Sequence, residues 1–347
     1  MRNRWLIPAL LFMIVVSSLV LAANRFDVIE LSHGAGSQSC LSTLEPPMSA
    51  VTGVFVEPDD GYAPVLDEIE SAQCEIALSM YLLSDDLVLD ALQAADARGV
   101  DVKVQLEEDP FGGGYGTTLN TTEFLEAASI SWQWTPSRFN FSHAKYMVID
   151  RQVAVIMNQN LTSSAFGSNR EFGVISTDPA VVENAWEIFD ADWQDIPLGH
   201  GLDHVVTSPE NSREIMISMI DASRVSIDMY AEVIRDEAFI AALERAAARG
   251  VTVRLIENES SDPLDQAVSA RLDAAGVQIR FSGRLYIHSK TMVFDGATVF
   301  VGSQNPTSNS FDNNREVGLV VTDPTALARC QAVFTRDWIT GIPAWPG

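Results

Sequence analysis

Two histidines, two lysines and two aspartates recur in this chain at one fixed spacing. His143 and Lys145 precede Asp150, and His288 and Lys290 precede Asp295. Residues two apart on a strand share a face, so each histidine and its lysine point into one cleft. An imidazole beside a fixed ammonium suits attack on a phosphodiester. Lysine is otherwise almost unused here, the third being Lys103. A compact ammonium approaches a single phosphate oxygen in a way that the planar guanidinium does not. Asp295 has the opposite parity and is followed by Gly296 and the β-rich run Thr298–Val301. For it a hairpin turn explains the spacing at least as well as catalysis does.

Cleaving a phosphodiester without a metal needs a nucleophile, positive charge on the non-bridging oxygens and an acid for the leaving alkoxide. One copy of the motif supplies one His and one Lys; two facing copies supply the set. One imidazole attacks phosphorus and forms a phosphohistidine. The other protonates the leaving oxygen, then activates water or an alcohol as base. Each ring needs a partner that fixes its tautomer, and Glu171 and Glu316, each within an Asn-Arg-Glu tripeptide, are the candidates. An ion pair with the neighbouring Arg170 or Arg315 is the alternative for each.

The elements that carry these residues are also doubled. An offset of 145 relates the two motifs, Asn160 to Asn305, Glu171 to Glu316 and Trp193 to Trp338. Further upstream Ala97-Arg98-Gly99-Val100 matches Ala248-Arg249-Gly250-Val251 at an offset of 151, and Met80-Tyr81 matches Met229-Tyr230 at 149. Two copies of one domain, with loops of unequal length, account for the drift. Each copy reads β-α-β: strand Glu75–Tyr81, helix Leu87–Arg98 and strand Val100–Leu106, then Val225–Tyr230, an Ala-rich helix to Arg249 and Val251–Ile256. This alternation predicts a mostly parallel sheet covered on both faces. Trp132, Trp134 and Phe139 suit core or rim packing, and Pro110–Gly116 a loop at the cleft rim.

Residues 1–23 pair Arg2 and Arg4 with an apolar run, the pattern of a cleaved signal or an uncleaved membrane anchor. Either places the remainder outside the cytoplasm, secreted or held at the cell membrane. Residues 24–49 read as a tether containing His33, residues 50–197 as domain one, 198–209 as a linker and 210–343 as domain two. Cys40, Cys74 and Cys330 allow one disulfide and one free thiol. Twenty-two basic against 47 acidic residues leave a net charge of −25, which disfavours long polyanions such as nucleic acid. Adaptation to a salty medium would explain the same balance.

The doubled His-x-Lys-x-x-x-x-Asp motif resembles that of the phospholipase D superfamily, over roughly Val51 to Ile342. The resemblance implies an α/β fold of two tandem α/β/α domains related by a pseudo-twofold axis, one active site at their interface, and no metal or other cofactor. It implies His143 as nucleophile, His288 as general acid and base, and Lys145, Lys290, Asn160 and Asn305 as phosphate ligands. Asp150 and Asp295 match supporting positions. The second copy keeps Gly302-Ser303-x-Asn305, whereas the first has Met157-Asn158-x-Asn160. Asn158 and Ser303 both hydrogen-bond, but Met157 forbids the close backbone approach of a glycine. A monomeric phospholipase D-type hydrolase acting on phospholipid headgroups is the leading expectation. An exported nuclease, a cardiolipin synthase-like phosphatidyl transferase and a non-catalytic lipid-binding module are the alternatives.

Overall fold

Apolar strands and capped helices alternate through both halves of this computed structural model. The structure describes residues 39–41, 44, 52–112 and 115–345. The signal or anchor at 1–23 and the tether, apart from a helical turn at 39–41 and residue 44, lie outside the described residues. The chain divides into Met1–Glu45 and Pro46–Gly347, and the fold below is that of the second unit.

Its first half runs β1 (Thr52–Glu57), α1 (Ala63–Ser71), β2 (Glu75–Met80), α2 (Asp86–Ala97), β3 (Asp101–Leu106), α3 (Tyr115–Ala128), β4 (Ser131–Trp134), β5 (Lys145–Ile149), β6 (Val153–Met157), α4 (Ser163–Gly167), β7 (Asn169–Ser176) and α5 (Pro179–Trp193). The second runs β8 (Val206–Ser208), α6 (Ser212–Ala222), β9 (Ser226–Tyr230), α7 (Glu237–Ala248), β10 (Thr252–Glu257), α8 (Pro263–Ala274), β11 (Gln278–Phe281), β12 (Tyr286–Ile287), β13 (Met292–Phe294), β14 (Thr298–Gly302), α9 (Ser308–Asp312), β15 (Glu316–Val321), α10 (Pro324–Thr340) and β16 (Ile342–Pro343). Local chemistry sets the helix ends. Asp85 and Asp236 cap α2 and α7 with their carboxylates, and Gly99 and Gly250 follow them with φ of 94° and 87°. The last residues of the segment 198–209 form β8 at the edge of the second sheet.

The described residues form two eight-stranded sheets. One has the order β1-β7-β6-β5-β2-β3-β4 with β12 added beside β7, the other β16-β11-β10-β9-β13-β14-β15-β8. Parallel pairing is confined to β2-β3-β4, β9-β10-β11 and β12 on β7, so the sheets are mixed and not mostly parallel. The reason is the hairpins: β5 joins β6, and β13 joins β14, through tight turns that only antiparallel neighbours permit. Strand register also corrects the weaker upstream match. Leu78 pairs with Met147 and Met229 with Met292, and Met292 is the repeat of Met147, so Leu78 corresponds to Met229. The offset is therefore 151 throughout this region, Tyr230 corresponds to Ser79, and Glu232 corresponds to Tyr81.

Three apolar cores hold the layers. One lies between the first sheet and α1, α2 and α3, and another between the second sheet and α6, α7 and α8. The largest is shared, and joins the inner faces of both sheets to α5 and α10. Met157 is fully buried in the first of these. Its counterpart Gly302 is closed in by Phe300 and Gly318, where a Cβ would meet Gly318 Cα at 2.7 Å. The Met-for-Gly difference is thus absorbed by core packing. Trp132 and Trp134 also pack against the first core, with ring centroids 4.8 Å apart.

Asp150 and Asp295 occupy turns. Asp150 and Arg151 have φ of 53° and 51°, Asp295 and Gly296 52° and 61°, the paired positive values of a type I′ hairpin. The Asp150 carboxylate accepts the amides of Gln73, Cys74 and Glu75 at 2.9, 2.7 and 2.9 Å. Asp295 does the same for Arg224, Val225 and Ser226 at 2.9, 2.7 and 3.0 Å. Each stands five residues beyond its lysine along an extended strand, roughly 16 Å. Catalytic status for these two aspartates is therefore corrected: they brace the start of β2 and β9. Of the cysteines, Cys330 is free and buried.

A crossed pair of buried arginines ties the halves together. Arg170 on β7 reaches Asp337 on α10 at 2.7 Å, and Arg315 reaches Asp192 on α5 at 2.8 and 3.0 Å. Both arginines are nearly inaccessible to solvent. Replacing Asp192 by Ala leaves Arg315 with Glu210 as its one remaining carboxylate partner and should destabilise the chain by about 3 kcal/mol, read by urea unfolding. Asp295→Ala strips three amides of their acceptor. It should lower stability by about 2 kcal/mol while turnover by the folded fraction stays within about tenfold of wild type; a loss a hundred times larger would return Asp295 to the catalytic set.

Candidate active site

Each histidine motif leads into a strand at the seam between the halves, and the backbones are exchanged there. Ile287 on β12 pairs with Arg170 of the first half, and Ser142 pairs with Arg315 of the second. His143 N donates to Arg315 O at 2.8 Å. Ahead of each motif a side chain pins the entering strand. Glu107 accepts Ser142 N at 2.6 Å, and Asn258 binds both backbone groups of Ile287 at 2.8 and 2.7 Å.

This exchange puts each imidazole against the other half's glutamate. His143 Nδ1 lies 3.0 Å from Glu316, and His288 Nδ1 lies 2.9 Å from Glu171. Both glutamates are fully buried. Arginine and glutamate alternate faces on their strands, so Arg170 and Arg315 turn away to Asp337 and Asp192 and leave the carboxylates to the histidines. The neighbouring-Arg ion pair is thereby ruled out. Glu316 also accepts Ser310 Oγ at 2.7 Å and Asn314 Nδ2 at 3.1 Å, and Glu171 accepts Asn169 Nδ2 at 3.2 Å. Burial alone would raise the Glu316 carboxyl, but His143, Lys145 and the Ser303 hydroxyl outweigh it and hold it below its usual range. An ionised carboxylate only accepts, so His143 carries its proton on Nδ1 and keeps the Nε2 lone pair free. Burial, helped by Lys145 and Lys290 and opposed by Glu316, brings the His143 pKa down to about 4. At neutral pH the ring is uncharged, as a nucleophile must be.

The lysines flank these rings. Lys145 Nζ donates to His143 O at 2.6 Å and sits 4.8 Å from the centre of the Tyr81 ring, which meets the His143 ring edge-on at 4.7 Å. Burial, opposed by Glu316 and aided by Lys290, lowers the Lys145 pKa to about 7. Lys290 donates to His288 O and to Glu232 Oε2, the latter at 2.8 Å. Glu232 Oε2 also accepts Asn305 Nδ2 at 3.2 Å and lies 3.7 Å from His288 Nε2. Burial works against ionisation of Glu232, but Lys290 and then His288 outweigh it and keep it a carboxylate.

His143, Lys145, His288, Lys290, Glu171, Glu316 and Asn305 therefore converge on one cleft. Asn160 and Asn305 each keep a buried side-chain oxygen without a donor, spare capacity for a ligand. Asn158 and Ser303 stand behind the site. Asn158 accepts Phe172 N at 2.7 Å and donates to Thr291 across the seam at 3.1 Å, and Ser303 Oγ accepts Val317 N at 3.1 Å. Phe111, on the rim loop, donates its amide to Tyr81 OH at 2.6 Å; Gly113 and Gly114 of that loop lie outside the described residues.

Sequence reasoning missed Tyr81 and Glu232 as site residues, and missed Asp192 and Asp337 as anchors. The last pair held the 145 offset one residue before the matched tryptophans, so the signal was present. Glu232 was concealed because its counterpart is Tyr81, of unrelated chemistry. Glu57 pairs in register with Glu171 on β7, and burial pushes its carboxyl up to about 8. It is largely neutral at pH 7.

Comparison with known proteins gives the family. Residues 65–193 and 216–338 match the family described as "Cardiolipin synthase, PLD-like domain". Cardiolipin synthase of Geobacillus thermodenitrificans (strain NG80-2) is 24% identical over 360 residues, 90% of this chain and 70% of its own length. The structure of phosphatidylserine synthase from Haemophilus influenzae Rd KW20 superposes with a TM-score of 0.66 at 10% identity, covering 89% of this chain and 90% of that one. Polyphosphate kinase from Porphyromonas gingivalis gives 0.65 at 18% identity over 83% of this chain and 50% of its own, a likeness of fold. With two tandem matches spanning most of its length, the chain belongs to the phospholipase D superfamily, in the family of cardiolipin synthase PLD-like domains.

Proposed function

We propose that this chain moves phosphatidyl groups from a phospholipid to an alcohol through a phosphohistidine on His143. The observation that carries the reading is the exchange of glutamates between the two histidine motifs. It leaves one neutral imidazole with a free Nε2 and sets the other beside Glu232, with both lysines in reach of the phosphate charge. His143 Nε2 attacks phosphorus, and His288 gives its proton to the departing alkoxide. His288 then takes a proton from the incoming hydroxyl, whose oxygen displaces His143 and restores the enzyme. Lys145 and Lys290 hold the non-bridging oxygens in the transition state.

Transfer replaces the hydrolysis favoured from sequence alone. The residues are the same for both, and only the acceptor differs. Relatives that match most of the chain are named cardiolipin synthases, which supports an alcohol as acceptor. Cardiolipin carries two phosphatidyl groups on one glycerol, so donor and acceptor are both lipids. No described helix is long and apolar enough to cross a membrane. Contact with the lipid surface through residues 1–23, outside the cytoplasm, belongs to the same proposal, as does the monomeric state.

The full chain incubated with phosphatidylglycerol vesicles should release glycerol and form cardiolipin, with His143→Ala reduced by about 10⁴-fold or more. Phosphatidic acid as the sole lipid product would return the reading to hydrolysis, and absence of both products would overturn it. The pH profile carries the signature of burial. For a short-chain phosphatidylglycerol, kcat/KM should fall below about pH 4, as His143 takes a proton and loses its lone pair. It should fall again above about pH 7, as Lys145 loses its charge. An acidic limb at the ordinary histidine value would remove His143 from the nucleophile's role.

A further inference from the structure

Glu316 and Glu171 do the same work for different histidines, but their surroundings differ. Glu316 takes hydrogen bonds from His143, Ser310 and Asn314. Glu171 takes them from His288 and Asn169. Asn169 is the repeat of Asn314, but the repeat of Ser310 is Ala165, which has no hydroxyl to give. Asn158, at the position of Ser303, spends its side chain on Phe172 N and Thr291. A fully buried carboxylate with few donors is costly to keep charged.

A further donor stands on the neighbouring strand. Glu57 lies directly opposite Glu171 in the β1-β7 pair. Residues so paired share a face, with Cβ atoms about 5 Å apart. Glu57 is fully buried; its Oε2 accepts Gly61 N at 2.9 Å, and its Oε1 has no hydrogen-bond partner. The nearby cations are spent elsewhere. Arg170 donates to the Glu57 carbonyl, while Arg329 and Arg336 of α10 bind Asp60 and Asp59. Asp60, Glu171 and Asp59 add their negative charge to the effect of burial, so the carboxyl keeps its proton up to about pH 8. With Oε2 taken up as an acceptor, the proton belongs on Oε1, and Glu171 is the carboxylate that faces it. The second half has no such group. Glu316 faces Ser208, which stands at the 151 offset from Glu57 and whose hydroxyl is buried without a partner.

We propose that Glu57 is a positioning residue whose Oε1 hydroxyl donates to Glu171, so that a Glu57–Glu171–His288 chain stands behind the general acid and base. A neutral donor on Glu171 weakens the pull of that carboxylate on the imidazolium. His288 then keeps its orientation and still releases its Nε2 proton readily to the departing alkoxide. This role in turnover rests on the phosphatidyl-transfer reading; the bond itself does not.

The test follows the downfield Nδ1–H resonance of His288 by NMR in the full chain labelled with nitrogen-15 at histidine, the signal being identified by its loss in His288→Gln. In the wild type it should move as Glu57 ionises, with a midpoint at about pH 8. Lys145, which titrates at about pH 7, should affect the wild type and the Glu57 variants alike. Glu57→Gln keeps a neutral donor, so the resonance should hold its neutral-pH position and the step at higher pH should vanish. Glu57→Leu removes the donor. There the resonance should shift at neutral pH, and kcat on short-chain phosphatidylglycerol should drop about tenfold at unchanged KM, with Glu57→Gln restoring it to within about twofold of wild type. A wild type without the step, or a step that survives in Glu57→Gln, overturns the proposal. So does a Glu57→Leu chain with the wild-type resonance and kcat; should that variant not fold, the Glu57→Gln comparison decides alone. A wild type that makes no phosphatidyl product, while its NMR step disappears in Glu57→Gln, overturns the transfer reading and leaves the Glu57–Glu171–His288 chain in place.

Discussion

A buried carboxylate of one half against the imidazole of the other is the contact on which this structure depends. Neither half can prepare its own histidine. A buried ring needs an acceptor for Nδ1–H, and the half that brings the ring into the cleft sends its own glutamate across the seam on another strand. Glu316 stays ionised in a dry setting because His143 and Lys145 lie against it, and the His143 ring keeps one tautomer because that carboxylate only accepts. Order at the two histidines and the union of the halves are one set of bonds.

The crossed arginines extend the same logic one layer back. Arg170 and Arg315 precede the two glutamates, point to the opposite face, and bind aspartates on α10 and α5, the helices that fill the shared core. A run of Asn-Arg-Glu thus does two jobs by strand parity alone. One face receives the partner's histidine, the other the partner's helix.

Much of this was legible in the sequence wherever the two copies keep the same residue. The histidines, lysines and glutamates, the turn at Asp295-Gly296 and the helices ending at Gly99 and Gly250 follow from spacing and propensity. What the sequence hid were relations that depend on register across strands. Nothing in the linear order says that Glu171 serves His288 and not His143. Met80-Tyr81 and Met229-Tyr230 look alike, yet Leu78 and Met229 are the residues that face the same neighbour, and the identity of side chains misled by two positions. The sheets proved mixed because the tight turns at Asp150 and Asp295, invisible to helix-strand alternation, force antiparallel neighbours. Glu232 escaped because its counterpart in the other copy is Tyr81, and a repeat reveals only what is shared.

The exchange of strands at the seam also limits how the molecule moves. Many two-lobed enzymes open and close by rocking one lobe against the other. Here such a motion would pull Ile287 from Arg170 and Ser142 from Arg315 and strip both histidines of their carboxylates at once. The cleft must therefore stand open as built. Entry of substrate and exit of product are left to side chains and loops at its mouth, with Phe111 on one side, largely in solvent, and Tyr286 on the other, half-exposed.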